Sequence, residues 1–156
     1  MARFYRIVQT RWVSSAMSGE GARLYGGRWN PPGLPVVYLA ESRALAALEI
    51  LVHAPREVLG LDWSVMEVQV PDDAILDVEQ SGLPVDWRNL PSSSGARRLG
   101  EAWLKGGTSL AMKLPSVIIP EEGSLLLNPL HPDSIHVRIS AISGFRFDMR
   151  LVTSAA

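Results

Sequence analysis

The stretch 36–54, VVYLAESRALAALEILVHA, contains a strand signal followed at once by a helix signal. β-branched and aromatic residues dominate 36–41, which is typical of a strand. Good helix-forming residues then follow Ser42, a favoured N-cap residue, and Pro55 ends the helical pattern. We therefore predict a strand over 36–41 and a helix over 42–54.

Glu49 is the residue of this helix that most needs an explanation. Leu45, Leu48, Val52 and His53 lie three or four positions from it and share its side of the helix. Most other helix residues are also apolar, so we expect the helix to be buried nearly all round. A carboxylate there requires either a structural arginine partner or a function, and the residues alone leave both open.

Upstream lies a long segment, 14–35, SSAMSGEGARLYGGRWNPPGLP, with five glycines and three prolines. It follows a short strand candidate at 3–8, RFYRIV. A segment of this length without periodicity is either mobile or functional. Within it, we expect Trp29 to anchor the loop by packing.

The rest of the chain contains more strand signals than helix signals. Strands are predicted at 64–70, 74–78, 115–120, 124–128, 134–140 and 144–152, and a second helix at 96–107. Helices do not alternate regularly with strands, which predicts an α+β fold with a mostly antiparallel sheet and few helices. The 156 residues predict a single domain, 1–156, and no dinucleotide-binding or P-loop glycine motif is present.

Composition excludes several classes of protein. The chain has no cysteine and three scattered histidines, so we expect no disulfides and no catalytic metal. No apolar stretch has the length of a membrane span or of a signal peptide core, which predicts a cytoplasmic protein. The net charge of −1 argues against general nucleic-acid binding.

Arginine is concentrated near the start of the chain. Residues 1–30 hold five arginines and one acid, a local charge of +4. This is either an ordinary solvated surface or a small site for an anionic ligand such as a diphosphate. Arg6, Tyr38 and Ser116 have ordinary structural explanations when each is considered alone. The serines of 92–94 similarly suit a helix N-cap or an anion site.

Taken together, these segments follow one order: YRI, SGEGARLYGGRWNPPG, VVYLAES, ALAALEILVH, LGEAWL, LPSVIIP and LLLNPLHP. That order resembles the RES-domain toxins of bacterial toxin–antitoxin pairs, from about residue 3 to about residue 140. The resemblance implies a fold like that of ADP-ribosyltransferases. It also implies a toxin that depletes NAD by cleaving the nicotinamide–ribose bond, through hydrolysis or phosphorolysis.

The resemblance also assigns site residues. It implies a catalytic set of Glu49, Arg6 and Ser94, and an NAD-binding set of Arg6, Arg28, Tyr38, Glu49, Ser93 and Ser94. The arginines would grip the diphosphate, the tyrosine would stack on nicotinamide, and the glutamate would stabilise the ribose cation. The serine would orient the ribose or the amide, with Ser116 as the third choice for this role. We also expect Arg6 to keep Glu49 charged.

For partners, the resemblance implies NAD as substrate, no metal, and a cognate helix-turn-helix antitoxin of Xre type that covers the cleft. A higher-order toxin–antitoxin complex is possible, and we expect no direct contact with nucleic acid or membrane. Two other functions stay open from the sequence. One is ADP-ribosylation of a protein target, and the other is a non-catalytic module that binds a nucleotide or a protein.

Overall fold

Seven strands form one sheet in the computed structural model, which describes residues 1–153. The strands are β1 Ala2–Gln9, β2 Val37–Ala40, β3 Trp63–Val70, β4 Ile75–Asp77, β5 Ala111–Pro115, β6 Gly123–Leu127 and β7 Arg138–Phe145. Their spatial order is β4-β5-β6-β2-β1-β3-β7, and every neighbouring pair is antiparallel except β4–β5. The predicted α+β class with a mostly antiparallel sheet is confirmed.

Within residues 1–153, four α-helices accompany the sheet: α1 Glu20–Tyr25, α2 Arg43–His53, α3 Ser94–Gly106 and α4 Met149–Val152. The predicted N-cap of α2 is confirmed, because the Ser42 hydroxyl accepts a hydrogen bond from the Leu45 N–H at 3.0 Å. Helix α1 lies inside the glycine-rich segment, where we predicted no regular structure. No helix in the described part of the chain is both long and apolar enough to cross a bilayer.

Apolar side chains cover both faces of the sheet. Along β3, Met66 and Val68 belong to one cluster, whereas Trp63 and Val65 belong to another, as expected from strand alternation. The second face is divided between the two longer helices. Helix α2 packs over β1 and β3, and α3 packs over β5 and β6. The boundary between these two clusters runs along β2.

Strands β1 and β2 are joined through a narrow seam. They pair at the single position Tyr5–Ala40, whereas β1 and β3 pair at eight positions. A side chain supplements this short ladder, because Nη1 of Arg6 donates a hydrogen bond to the Tyr38 carbonyl oxygen at 2.9 Å. The sheet therefore consists of two halves, β4-β5-β6-β2 and β1-β3-β7, that meet at this seam.

The predictions for the last third of the chain are partly wrong. Strand β5 ends where the strand predicted at 115–120 was to begin, because Ser116 starts a turn. Its hydroxyl accepts hydrogen bonds from the N–H groups of Ile118 and Ile119, at 3.0 and 3.2 Å. The apolar residues that follow it pack against the helices instead of joining the ladder.

The strand predicted at 134–140 begins late, because Pro132–His136 forms a 3-10 helix that His131 caps. The strand predicted at 144–152 is also wrong, because β7 ends at Phe145 and α4 follows. The Asp148 carboxylate starts α4 by accepting a hydrogen bond from the Arg150 N–H at 2.9 Å. The other predicted strands and both predicted helices are confirmed to within a few residues.

The glycine-rich segment packs against α3 through Trp29. The indole of Trp29 is buried among α3 residues, which confirms its predicted role as an anchor. The Trp29 backbone crosses α3 at Gly100, where an added Cβ would overlap the Trp29 carbonyl oxygen. This close approach fixes the position of the segment on the helix.

Replacing Gly100 with alanine tests this packing. Alanine normally stabilises a helix interior by about 1 kcal/mol relative to glycine. Here we expect Gly100→Ala to lower the free energy of unfolding by about 1–3 kcal/mol, because the methyl group displaces the Trp29 backbone. Urea unfolding followed by circular dichroism measures the change.

Gly106→Ala is the matched control at the end of the same helix, where an added Cβ meets no atom within 4 Å. We expect this variant to be as stable as the wild type or slightly more stable. A Gly100→Ala protein as stable as Gly106→Ala would show that α3 does not hold the segment.

Candidate active site

Asn30 organises the glycine-rich segment from inside. Asn30 is fully buried, with 0% of its surface exposed. The amide nitrogen Nδ2 donates to the carbonyl oxygens of Ala22, Pro31 and Leu34, at 2.9, 3.1 and 3.2 Å. Its Oδ1 accepts a hydrogen bond from the Tyr38 hydroxyl. One buried amide therefore ties helix α1, the proline turn and strand β2 together.

Tyr38 has its hydroxyl committed to this loop. Besides donating to Asn30, the hydroxyl oxygen accepts a hydrogen bond from the Trp29 N–H at 3.2 Å. Burial raises the pKa of the Tyr38 phenol well above its ordinary value, so the group stays protonated. The ring is the part of Tyr38 that remains for contact with a ligand.

The two glycines before Arg28 have local explanations. Gly26 adopts a φ of 74°, which L side chains rarely adopt. At Gly27, an added Cβ would lie 2.7 Å from the Tyr38 hydroxyl oxygen. The position of the Tyr38 hydroxyl therefore requires glycine at 27.

Arg28 connects the glycine-rich segment to the loop before α3. Its Nη1 donates to the carbonyl oxygens of Trp87 and Asn89, at 3.1 and 2.8 Å. Its Nε and Nη2 make no hydrogen bond to another described residue. Partial burial lowers the pKa of Arg28, and the charge of Glu49 opposes that shift. Arg28 thus holds the loop before α3 through Nη1, while its Nε and Nη2 stay available for another partner.

Glu49 lies on α2 with its side chain 38% exposed. The helix is not buried all round as predicted, because Val52 and His53 are exposed while Leu45 and its neighbour Ala46 are buried. Burial raises the pKa of the Glu49 carboxyl, and the charges of His53 and Arg28 act in the opposite direction. The His53 Nε2 atom lies 3.8 Å from Oε2 of Glu49.

Arg6 does not hold Glu49 charged, so that prediction is wrong. The cationic groups close enough to lower the pKa of Glu49 are His53 and Arg28. Arg6 instead bonds the Tyr38 carbonyl, and its Nε is buried with no hydrogen-bond partner in the described residues. Burial lowers the pKa of this guanidinium. Spacing along the chain gave no indication of which arginine faces the glutamate.

The three candidate serines occupy different positions. Ser93 is buried and caps α3, because its hydroxyl accepts a hydrogen bond from the Ala96 N–H at 3.0 Å. Ser94 is the exposed first residue of that helix. Ser116 is fully buried in the turn after β5, and the next carbonyl, that of Val117, accepts a hydrogen bond from Arg88 at 2.9 Å.

Hydrogen bonds bring several of the predicted site residues together. The Tyr38 hydroxyl bonds the glycine-rich segment at Trp29, next to Arg28, and Arg28 holds the loop that leads into Ser93 and Ser94. Glu49 is close enough to interact electrostatically with Arg28. Asn30 was not among the predicted site residues, although a polar residue before two prolines in the glycine-rich motif is a signal for a structured turn.

The arrangement offers a guanidinium with free donors, an aromatic ring and a half-buried carboxylate. These groups suit an organic anion with a ring and a centre that becomes positive during reaction. Among residues 1–153, no three His, Cys, Asp or Glu side chains are grouped as metal ligands would be.

Comparisons with known proteins give the family. The sequence model of the RES domain matches residues 3–150. "Toxin Res" of Photorhabdus laumondii is 37% identical over 150 residues, which are 95% of this chain and 96% of that protein. The "Prs ADP-ribosylating toxin" of Sphingobium sp. is 37% identical over 157 residues, covering 97% of this chain and 98% of the relative.

A third relative is similar in both sequence and structure. "NAD(+) phosphorylase MbcT" of Mycobacterium tuberculosis is 32% identical over 124 residues, which are 70% of this chain and 63% of MbcT. The crystal structure of the M. tuberculosis MbcT–MbcA toxin–antitoxin complex has a matching chain, with a TM-score of 0.76 and 24% identity. The match covers 93% of this chain and 84% of that chain, and it shows the same fold. This chain belongs to the RES domain family.

Proposed function

We propose that this protein is the toxin of a bacterial toxin–antitoxin pair and that it depletes NAD by cleaving the nicotinamide–ribose bond. The observation that carries the proposal is the Arg28 guanidinium, which bonds the loop before α3 through Nη1 and retains two free nitrogens in the described chain. The charge of Arg28 also opposes the rise in the pKa of the Glu49 carboxyl. Relatives named as a Res toxin, an NAD(+) phosphorylase and an ADP-ribosylating toxin support it. We treat residues 1–156 as one RES-type domain.

Arginine side chains would bind the diphosphate of NAD. Arg28 keeps Nε and Nη2 for this purpose, and a planar guanidinium makes paired hydrogen bonds to phosphate oxygens. Arg6 has a buried Nε without a partner, and a ligand oxygen would satisfy that donor. Arg6 therefore supports the site in two ways, by holding the Tyr38 strand and by offering a hydrogen bond.

Glu49 would stabilise the transition state. Cleavage of the nicotinamide–ribose bond leaves the bonding electron pair on the nicotinamide nitrogen and makes the ribose carbon cation-like. A carboxylate beside that carbon stabilises the developing charge, as in glycosidases. Nicotinamide leaves as a neutral molecule, so this step requires no general acid. Water or phosphate then attacks the same carbon and yields ADP-ribose or its phosphate ester.

Tyr38 and a serine would position the substrate. Because the Tyr38 hydroxyl is committed to Asn30 and Trp29, the residue would contribute its ring, stacked on nicotinamide. Ser94 is our catalytic serine, with Ser93 beside it as a binding residue. The exposure of Ser94 at the start of α3 supports this choice. Ser116 is the alternative, and its turn contacts Arg88 in the loop that Arg28 holds.

A cognate antitoxin would control this activity. An enzyme that consumes a central cofactor has to be blocked until it is needed, and the MbcT relative is known in a complex with its antitoxin. We propose a helix-turn-helix antitoxin of Xre type that covers the cleft, within a higher-order complex, in the cytoplasm. Any DNA contact would then belong to the antitoxin, which agrees with the net charge of −1.

Transfer of ADP-ribose to a protein is the second candidate function. The relative named as an ADP-ribosylating toxin, 37% identical, favours it. The same residues would serve, because only the acceptor at the ribose carbon differs. A product analysis therefore separates the alternatives.

Product analysis with a Glu49→Gln control tests the function. The purified chain is incubated with NAD, with and without phosphate, and the products are identified by mass spectrometry. We expect nicotinamide with ADP-ribose or its phosphate ester, and at least a 100-fold lower rate for Glu49→Gln, the typical cost of losing a charge-stabilising group. Intact NAD, or Glu49→Gln at the wild-type rate, would contradict the proposal, whereas a modified protein would indicate transfer.

Replacing Arg28 with lysine tests the diphosphate contact. Lysine keeps the charge but cannot reproduce the paired hydrogen bonds, so we expect KM for NAD to rise about 10-fold to 100-fold. We expect a much smaller change in kcat. Arg23→Lys is the matched control, because Arg23 pairs with Glu20 at the surface of the same segment. An unchanged KM for Arg28→Lys would remove Arg28 from the binding site.

The pH dependence of NAD cleavage should report on Glu49. The carboxylate is the active form, and burial raises its pKa. As the pH is lowered, activity should therefore be lost at a higher pH than it would be with an ordinary glutamate, whose pKa is ~4.3. His53→Gln removes a positive charge that lowers this pKa. The acid limb of kcat/KM against pH, which reports groups of the free enzyme, should therefore move to still higher pH.

The control for this experiment is His136→Gln, an exposed histidine of the 3-10 helix before β7. We expect its pH profile to match that of the wild type. A profile for His53→Gln that stays in place or moves to lower pH would show that Glu49 does not set the acid limb.

A further inference from the structure

The two edges of the sheet differ in how they are protected from other strands. At one edge, β4 has only three residues, the last of which is Asp77, and Asp72 and Asp73 lie just before it. Short, charged edges discourage pairing with other chains. At the other edge, β7 has eight residues and contains no proline and no charge from Ile139 to Phe145.

The outer side of β7 is open in the described part of the chain. Its only neighbour in the sheet is β3, so the N–H and C=O groups on the other side have no strand partner among residues 1–153. Residues 141–145 pair with β3 in unbroken register. The register shifts once, between Glu67 and Val68 of β3, where Ala141 and Ile139 are their partners. Ile139 and Ile142 are 46% and 49% exposed. The uncharged stretch 141–145, with its free backbone groups and regular register, is a template for strand addition.

Two arginines mark the ends of this open edge. Arg138 and Arg146 flank the uncharged run, and both are exposed. Neither forms an ion pair with another described residue. The edge therefore presents a neutral centre between two positive ends, which is a recognisable charge pattern for a partner.

The same charges argue against a second copy of this chain as the occupant. In a two-fold antiparallel pairing centred on Ile142, each Arg138 would face Arg146 of the other copy. Shifting the centre by one residue leaves these arginines diagonal to each other. Like charges across a strand pair are destabilising. The edge is therefore suited to a different strand.

We propose that the outer edge of β7 binds an extended, uncharged segment of a partner protein by strand addition, with an acidic residue at each end facing Arg138 and Arg146. Backbone hydrogen bonds along 141–145 provide the affinity, and apolar side chains of the segment pack beside Ile139 and Ile142. The proposal is independent of NAD cleavage, because none of the proposed NAD-site residues lies on β7.

Synthetic peptides of defined charge test this surface with the full chain. The probe is fluorescein-labelled Asp-Thr-Val-Thr-Val-Thr-Val-Thr-Asp, whose two acids are spaced like Arg138 and Arg146. It is compared by fluorescence anisotropy with the same peptide carrying lysine at both ends. We expect the acid-ended peptide to bind about ten-fold more tightly, from two cross-strand charge pairs. A third peptide with proline in place of the central valine lacks a backbone donor, and we expect it not to bind.

Charge reversal on the protein distinguishes edge pairing from non-specific attraction. We expect the double variant Arg138→Glu/Arg146→Glu, with unchanged thermal unfolding, to prefer the lysine-ended peptide. The matched control is Arg11→Glu/Arg23→Glu, which alters net charge equally and should keep the wild-type preference.

The proposal is overturned if the acid-ended peptide does not bind, if the proline peptide binds equally, or if reversal leaves the preference unchanged. A wild-type dimer in sedimentation that excludes both peptides would also overturn it, because a second copy would then occupy the edge.

Discussion

The hydrogen bond from the Arg6 guanidinium to the Tyr38 carbonyl oxygen joins the two halves of the sheet where the backbone ladder is weakest. Strands β1 and β2 share one paired position, so a side chain completes their connection. Burying a guanidinium is costly unless it is well paired, and the Nε of Arg6 is left without a partner in the described chain. A cost of this kind at a seam is typical of a functional position rather than of a purely structural one.

The candidate site depends on this seam because Tyr38 is fixed at both ends. Arg6 holds its carbonyl, and Asn30 and Trp29 hold its hydroxyl. From there the connections continue through the glycine-rich segment to Arg28 and on to the loop before α3. Glu49 reaches the site from α2, which packs on the other half of the sheet. The separation of Glu49 and Arg28 is therefore set by how the two halves meet.

Most of the sheet could be predicted from alternation of residue types, and the failures have identifiable physical causes. The apolar run after Pro115 satisfies a strand pattern, but the Ser116 hydroxyl bonds two backbone N–H groups and turns the chain. The run 144–152 also alternates, but Asp148 caps a short helix there. In both places one polar side chain competes for the backbone and outweighs a pattern that is compatible with a strand. Helix α1 was missed because Glu20–Tyr25 spans only six residues, too few to show periodicity.

The sequence by itself determined the local features and the family pattern. These include the strand and helix around 36–54, the Ser42 cap, and the motifs that place Arg6, Arg28, Tyr38 and Glu49 among candidate site residues. Local features depend on contacts within about four residues, which the order of residues specifies directly. Only the tertiary structure decided that Arg28, not Arg6, acts on Glu49, and that the Tyr38 hydroxyl is already occupied. The bonds Arg6–Tyr38 and Arg28–Asn89 join residues 32 and 61 positions apart, and such pairs meet only when the sheet and its helices have packed.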